Sequence, residues 1–200
     1  MLYAATLTND KARQEAIYKK TTELYPNDFR AYNNLGMMAY ANGDFTTAEN
    51  YFKQAASKDA NAPEVNTNLG YIELVKGNVA NAETYLSKST GANTANEALG
   101  NLYIKQGQYD RAVQAFGDTK TNSAALAQIL AKDYNKAKNT LNAVKNPDAY
   151  TDYLMAIVGA RTNNADLVKT SMAKVAQKDA TLAAKAQIDR EFAKYANEIK

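Results

Sequence analysis

The sequence contains no cysteine and no histidine, and only three prolines, Pro26, Pro63 and Pro147. Without cysteine there is no disulfide, no thiolate nucleophile and no thiolate metal site. Without histidine the commonest general base and the commonest metal ligand are missing. A cysteine-free chain suits the cytosol and an oxidising compartment equally. No apolar run approaches the ~20 residues that span a bilayer, so no membrane insertion is expected. The opening Met1-Leu2-Tyr3-Ala4-Ala5-Thr6 lacks the basic and long apolar regions of an export signal. Charge of one sign is also scarce. The net charge is +3, with residues 1–100 at −2 and residues 101–200 at +5. That asymmetry reads as solvated helix faces and implies no nucleic-acid partner. Valine and isoleucine are sparse while alanine dominates, a balance that favours helix throughout.

What is present is a phrase written four times. Gly43-Asp44-Phe45 with Ala48 and Phe52 recurs as Gly77-Asn78-Val79 with Ala82 and Leu86. It returns as Gly107-Gln108-Tyr109 with Ala112 and Phe116, and, without glycine, as Tyr134 with Ala137 and Leu141. Leu35-Gly36, Leu69-Gly70 and Leu99-Gly100 precede the first three copies, each leucine eight residues before the loop glycine. Repetition at a period of roughly 20–50 residues signals stacked helix pairs.

In the first copy the spacing predicts helix A over 28–41, capped by Asn27 or Asp28, and helix B over 45–58. Gly43 supplies the left-handed turn between them. Gly36, Gly70 and Gly100 each cost about 1 kcal/mol inside a helix, and close backbone approach of A and B is the expected reason. Copy four has a short helix A at about 123–131, and a further pair is expected at about 148–161 and 165–176. A final helix over 181–199 carries Ile188, Phe192, Tyr195 and Ile199 as one buried stripe, as a terminal cap should.

Tyr32-x-x-Leu35-Gly36 with Ala48-x-x-x-Phe52, and Leu99-Gly100-x-x-Tyr103 with Ala112-x-x-x-Phe116, resemble the tetratricopeptide repeat. The second copy is weaker, with Asn66 at the aromatic position. The resemblance spans residues 29–119 and is degenerate beyond. It implies an all-α superhelix of antiparallel helix pairs with a C-terminal capping helix. As one domain over 1–200, this divides into a partial repeat 1–26 and repeats 29–62, 63–92 and 93–121. Degenerate repeats 122–146 and 148–178 follow, then the cap at 180–200. Aligning Tyr18 with Phe52 places Met1 on Leu35, so the chain reads as opening inside a repeat, as a fragment of a longer protein or an atypical capping half-repeat would.

The resemblance also implies a groove lined by helix A side chains. Its candidate residues are Arg30, Asn33, Met37 and Tyr40 in copy one, and Asn68, Tyr71 and Leu74 in copy two. Copy three offers Asn101, Ile104 and Lys105. Tyrosine gives contact area at low entropic cost, and asparagine can pair with a backbone amide. The expected partner is a protein or peptide. Members that hold a terminal carboxylate use Lys-x-x-x-Asn and a further Asn. Here Asn33, Met37 and Tyr71 occupy those positions, so a chaperone C-terminus is not the expected ligand. Asp148 and Asp152 read as solvated helix acids, and with no histidine no catalytic triad forms. No enzymatic activity, cofactor or metal is expected. The reading is a protein-interaction scaffold. A self-association domain of a larger cell-envelope protein and a glycan-binding domain using the tyrosines are the alternatives. Richness in Asn, Thr and Tyr leans toward the bacterial periplasm or envelope, with the cytoplasm open.

Overall fold

A computed structural model of the chain describes residues 2–89 and 93–199. It is 76% helical, with no strand among the described residues. Thirteen α-helices run in order among them: α1 Leu2–Thr6, α2 Lys11–Leu24, α3 Phe29–Ala41, α4 Phe45–Lys58, α5 Pro63–Val75, α6 Val79–Lys88 and α7 Asn93–Lys105. There follow α8 Tyr109–Phe116, α9 Asn122–Leu130, α10 Tyr134–Asn142, α11 Ala149–Arg161, α12 Ala165–Lys178 and α13 Ala180–Gln187, then a 3₁₀ turn at Arg190–Tyr195. The helices group into two compact units, residues 1–99 and 100–200, with the boundary inside α7. The expected repeat junction at 92–93 and the match of Met1 to Leu35 touch residues outside those described.

The turn within each helix pair is the same object five times. At its first occurrence Gly43 N–H bonds Tyr40 O and Asp44 N–H bonds Ala39 O, the double closure of a Schellman motif. The same two bonds recur around Gly77, Gly107, Lys132 and Asn163. All five central residues have positive φ, between 54° and 79°. Lys132 and Asn163 therefore keep the left-handed turn where the sequence has lost its glycine. The next residue opens the following helix. Asp44, Asp133 and Asn164 cap it through their side chains, whereas Asn78 and Gln108 make no such bond.

Gly36, Gly70 and Gly100 have a reason other than the expected one. A β-carbon on Gly36 would lie 2.5 Å from the Phe52 ring, and one on Gly70 would lie 2.6 Å from Leu86 Cγ. The glycine makes a seat for the large side chain of helix B, and that side chain, not the partner backbone, is what would be struck. Ala48, Phe52, Ala55, Val65, Leu69 and Ile72 then close a core from α4 to α5. In the second unit, Leu141 and Leu154 join Ala125, Ala137 and Val158 in a core across α9 to α11.

Two local departures have local causes. Asn66, standing at an aromatic position, is buried and donates from Nδ2 to Ala60 O at 2.9 Å and Ala62 O at 3.1 Å, tying down the connection before α5. The final helix does not run unbroken over 181–199. It stops at Gln187, and Asp189 caps the 3₁₀ turn by accepting from Glu191 N–H at 2.8 Å. Phe192, Tyr195 and Ile199 are buried as the stripe requires, but Ile188 is 85% exposed and Ala186 takes the inward position.

Candidate interaction face

In the first unit the helix A positions converge on an asparagine pair. Asn68 Nδ2 donates to Asn33 Oδ1 at 2.8 Å, linking α5 to α3. Asn33 is only 5% exposed, and its own Nδ2 reaches Met37 Sδ at 3.7 Å. A buried amide left unpaired would be costly, so this bond fixes Asn68 in place. Asn68 is half-buried and its Oδ1 has no partner among the described residues. Met37 beside it is 51% exposed.

The tyrosines flank that pair. Tyr71 donates its hydroxyl to Thr94 O at 3.3 Å, and burial pushes its phenol above the ordinary range, with Glu97 and Tyr40 adding to the rise. Tyr40 meets Phe45 edge-on, with centroids 5.2 Å apart. Arg30 is turned back on its own helix start. Its Nε and Nη2 hold the Asp28 carboxylate at 2.9 and 2.7 Å, which keeps Asp28 below the usual carboxylate range. Leu74 is half-buried. The structure thus brings together Asn33, Met37 and Asn68, sets Tyr71 near Tyr40, and leaves Arg30 engaged locally. Asn101 and Lys105 are exposed and Ile104 is half-buried, all three in the second unit.

Two features of the first unit escaped sequence reasoning. One is the Thr94 carbonyl that orients Tyr71; a backbone acceptor leaves no mark in residue types. The other is a cleft of about 230 Å³ between α2 and α3, lined in part by Tyr18, Met37 and Met38. Its signal was available: Lys11 and Gln14 stand where the first full repeat has Phe45 and Ala48.

Several charged groups elsewhere are held in ion pairs and caps. Glu73 is 7% exposed and accepts from Lys76, Asn78 and Asn81 at 2.9, 2.9 and 3.1 Å. Lys76 also reaches Glu49 at 3.0 Å, which Lys53 holds at 2.7 Å. Asp148 caps α11 through Thr151 N–H at 2.8 Å, and Asp152 pairs with Lys178 at 2.7 Å. The two acids are thus engaged in capping and pairing. Among the described residues no group of acids could hold a metal ion, and no helix is long and apolar enough to cross a membrane.

Three tetratricopeptide-repeat profiles match the sequence, at residues 17–50, 38–98 and 97–120. Together they extend over 17–120, slightly more than half of the chain. No curated protein sequence matches significantly. Among solved structures, PilF of Pseudomonas aeruginosa is similar at a TM-score of 0.72 and 13% identity, over 94% of this chain and 89% of that one. PilW, a widely conserved type IV pilus biogenesis factor, is similar at 0.66 and 19%, over 96% and 95%. YrrB, a tetratricopeptide protein with an unusual peptide-binding site, is similar at 0.65 and 17%, over 84% and 97%. At these identities the likeness is one of fold: an all-α solenoid of helix pairs.

Proposed function

We propose that this chain, which belongs to the tetratricopeptide-repeat family, holds an extended segment of a partner protein on the helix A face of its first unit. The family's fold serves protein–protein interaction in general, as a scaffold rather than a catalyst, and the finer reading rests on one observation. Asn68 is oriented by buried Asn33 and keeps an amide oxygen and a second N–H free. That is one acceptor and one donor in a single plane, the complement of a peptide group. Because the side chain is already held, little rotamer freedom is lost on binding. Tyr40, Tyr71 and Met37 supply the apolar area around it, and Tyr71 is itself oriented by Thr94. Arg30 completes the proposed set on this unit as an outlying polar contact.

The test is a capture experiment on extracts of the source cells. Tyr40→Ala combined with Tyr71→Ala should remove the captured partner while the far-ultraviolet spectrum stays helical. Asn68→Ala alone should weaken capture about tenfold, as expected for losing a pair of hydrogen bonds. Retention of every partner by the double variant would refute the face.

A further inference from the structure

The cleft between α2 and α3 is a socket that the next repeat fills and this one does not. Shifting by 34 residues maps Lys11, Gln14 and Tyr18 onto Phe45, Ala48 and Phe52, and Met38 onto Ile72. In the full repeat Ala48, Phe52 and Ile72 are at most 1% exposed, and Tyr40 packs on Phe45. One repeat earlier, a lysine replaces Phe45, and α1 has Thr6 where Tyr40 would stand. The result is an open space whose lining includes Tyr18, Met37 and Met38. Its volume of about 230 Å³ lies below the roughly 300–1,000 Å³ of small-molecule sites and suits one large side chain.

Charge selects the occupant. Lys19 and Lys20 of the same helix each pair with a glutamate, Glu15 at 2.6 Å and Glu23 at 2.7 Å. Lys11, which lines the cleft, has no carboxylate partner among the described residues. The side-chain amides of Asn34 and Asn42, also in its lining, are likewise unengaged among the described residues. We propose that this cleft is an anchor pocket for a leucine, methionine or phenylalanine side chain of a partner peptide that carries an acidic residue immediately beside it. Flexible, polarisable Met37 and Met38 adapt to any of those three shapes. Met37 belongs to the asparagine face as well, so an anchored peptide continues onto it. The inference rests on the reading of the first unit as a peptide-binding surface, but not on Asn68, Tyr40 or Tyr71.

Three capped tetrapeptides test it, titrated into the isotope-labelled chain and followed by amide chemical shifts. They carry leucine then glutamate, leucine then lysine, or alanine then glutamate at the two central positions. The first should move the signals of Tyr18, Met37 and Met38 and bind about fivefold more tightly than either other peptide. Lys11→Glu should reverse the preference between the two leucine peptides. Ala41→Phe, a change at an exposed position, should fill the cleft and abolish the shifts without lowering the melting temperature. Equal binding of all three peptides, an unchanged preference in Lys11→Glu, or no shift at Tyr18 and Met38 at millimolar peptide overturns the proposal. The Tyr40→Ala, Tyr71→Ala variant separates the two readings, because it should still bind the leucine–glutamate peptide. Should it also retain every partner, the asparagine face falls and the pocket stands.

Discussion

Gly100 is the seat of the Phe116 ring: a β-carbon built there would stand 2.4 Å from Cε2 of Phe116. Phe116 is 1% exposed, so its ring has nowhere to retreat without displacing the core. Helix propensity alone would favour Gly100→Ala by about 1 kcal/mol. Overpacking typically costs about 1–3 kcal/mol and acts in the opposite direction. Gly100→Ala should therefore destabilise the chain, and Gly36→Ala should behave alike against Phe52. Urea titration measures this directly, and an alanine variant more stable than the parent would show that the ring can turn aside.

The repeated phrase made the helix pairs legible because the interactions that define it are local. Asp28 caps the helix its position suggests, and Gly43 turns as its place requires. What lies between helices was less legible. Equal spacing of Gly36 and Phe52 reveals that they face each other, but not that the ring lies on the glycine. The break at Ile188 was hidden for the same reason. Ile188, Phe192, Tyr195 and Ile199 share one helical stripe, and only the bonds of Asp189 to Tyr153 and to Glu191 N–H stop the helix. On the candidate face, the residue types suggested an amide ligand site. That Asn33 is buried and serves to hold Asn68 depends on a pairing 35 residues apart.

Lys132 occupies the left-handed position of the fourth turn at φ 65°, where three other turns have glycine. A side chain in that region costs about 1–2 kcal/mol, partly offset by the greater freedom that glycine loses on folding. Lys132→Gly should therefore stabilise the second unit by about 0.5–1 kcal/mol, raising its melting temperature. Asn163, at φ 54°, tolerates the conformation better, so Asn163→Gly should gain less. Gly43→Ala, in the reverse sense, should lose about 1 kcal/mol. A Lys132→Gly variant that melts below the parent would show that the turn is not strained.

Glu73 ties stability to pH. Hydrogen bonds from Lys76 foremost, with Asn78 and Asn81, hold its carboxyl below the ordinary glutamate value despite its burial. A folded pKa below the unfolded one means that the ionised form stabilises the fold. That stability is complete above the unfolded value and is lost as pH falls through the folded one. Glu49, held low by Lys53 and Lys76, acts in the same sense. The chain should thus lose stability on acidification below about pH 4–5. Glu73→Gln should be less stable than the parent at pH 7, with the difference shrinking toward pH 3. Melting curves across that range check it, and a constant difference at every pH would remove Glu73 from the linkage.

Three of the contacts that fasten the segment after α13 to α11 differ in strength. Phe192 is 1% exposed and meets the Tyr153 ring edge-on at 5.6 Å. Asp189 accepts from the Tyr153 hydroxyl while capping Glu191 N–H, and the Tyr153 phenol is pushed upward by burial and by that carboxylate. Arg161 grips Glu191 with two bonds of 2.6 and 2.7 Å, but the arginine is half exposed. Removing a buried ring costs about 3–5 kcal/mol. A lost cap with an unpartnered hydroxyl costs about 1–3 kcal/mol, and a surface ion pair about 0–1 kcal/mol. The expected order of damage is therefore Phe192→Ala, then Asp189→Ala, then Glu191→Gln, although the ion pair is held by two bonds. Hydrogen exchange of the amides of residues 190–199 gives the ranking. If Glu191→Gln releases the segment as readily as Phe192→Ala does, charge and not the aromatic anchor closes this end of the second unit.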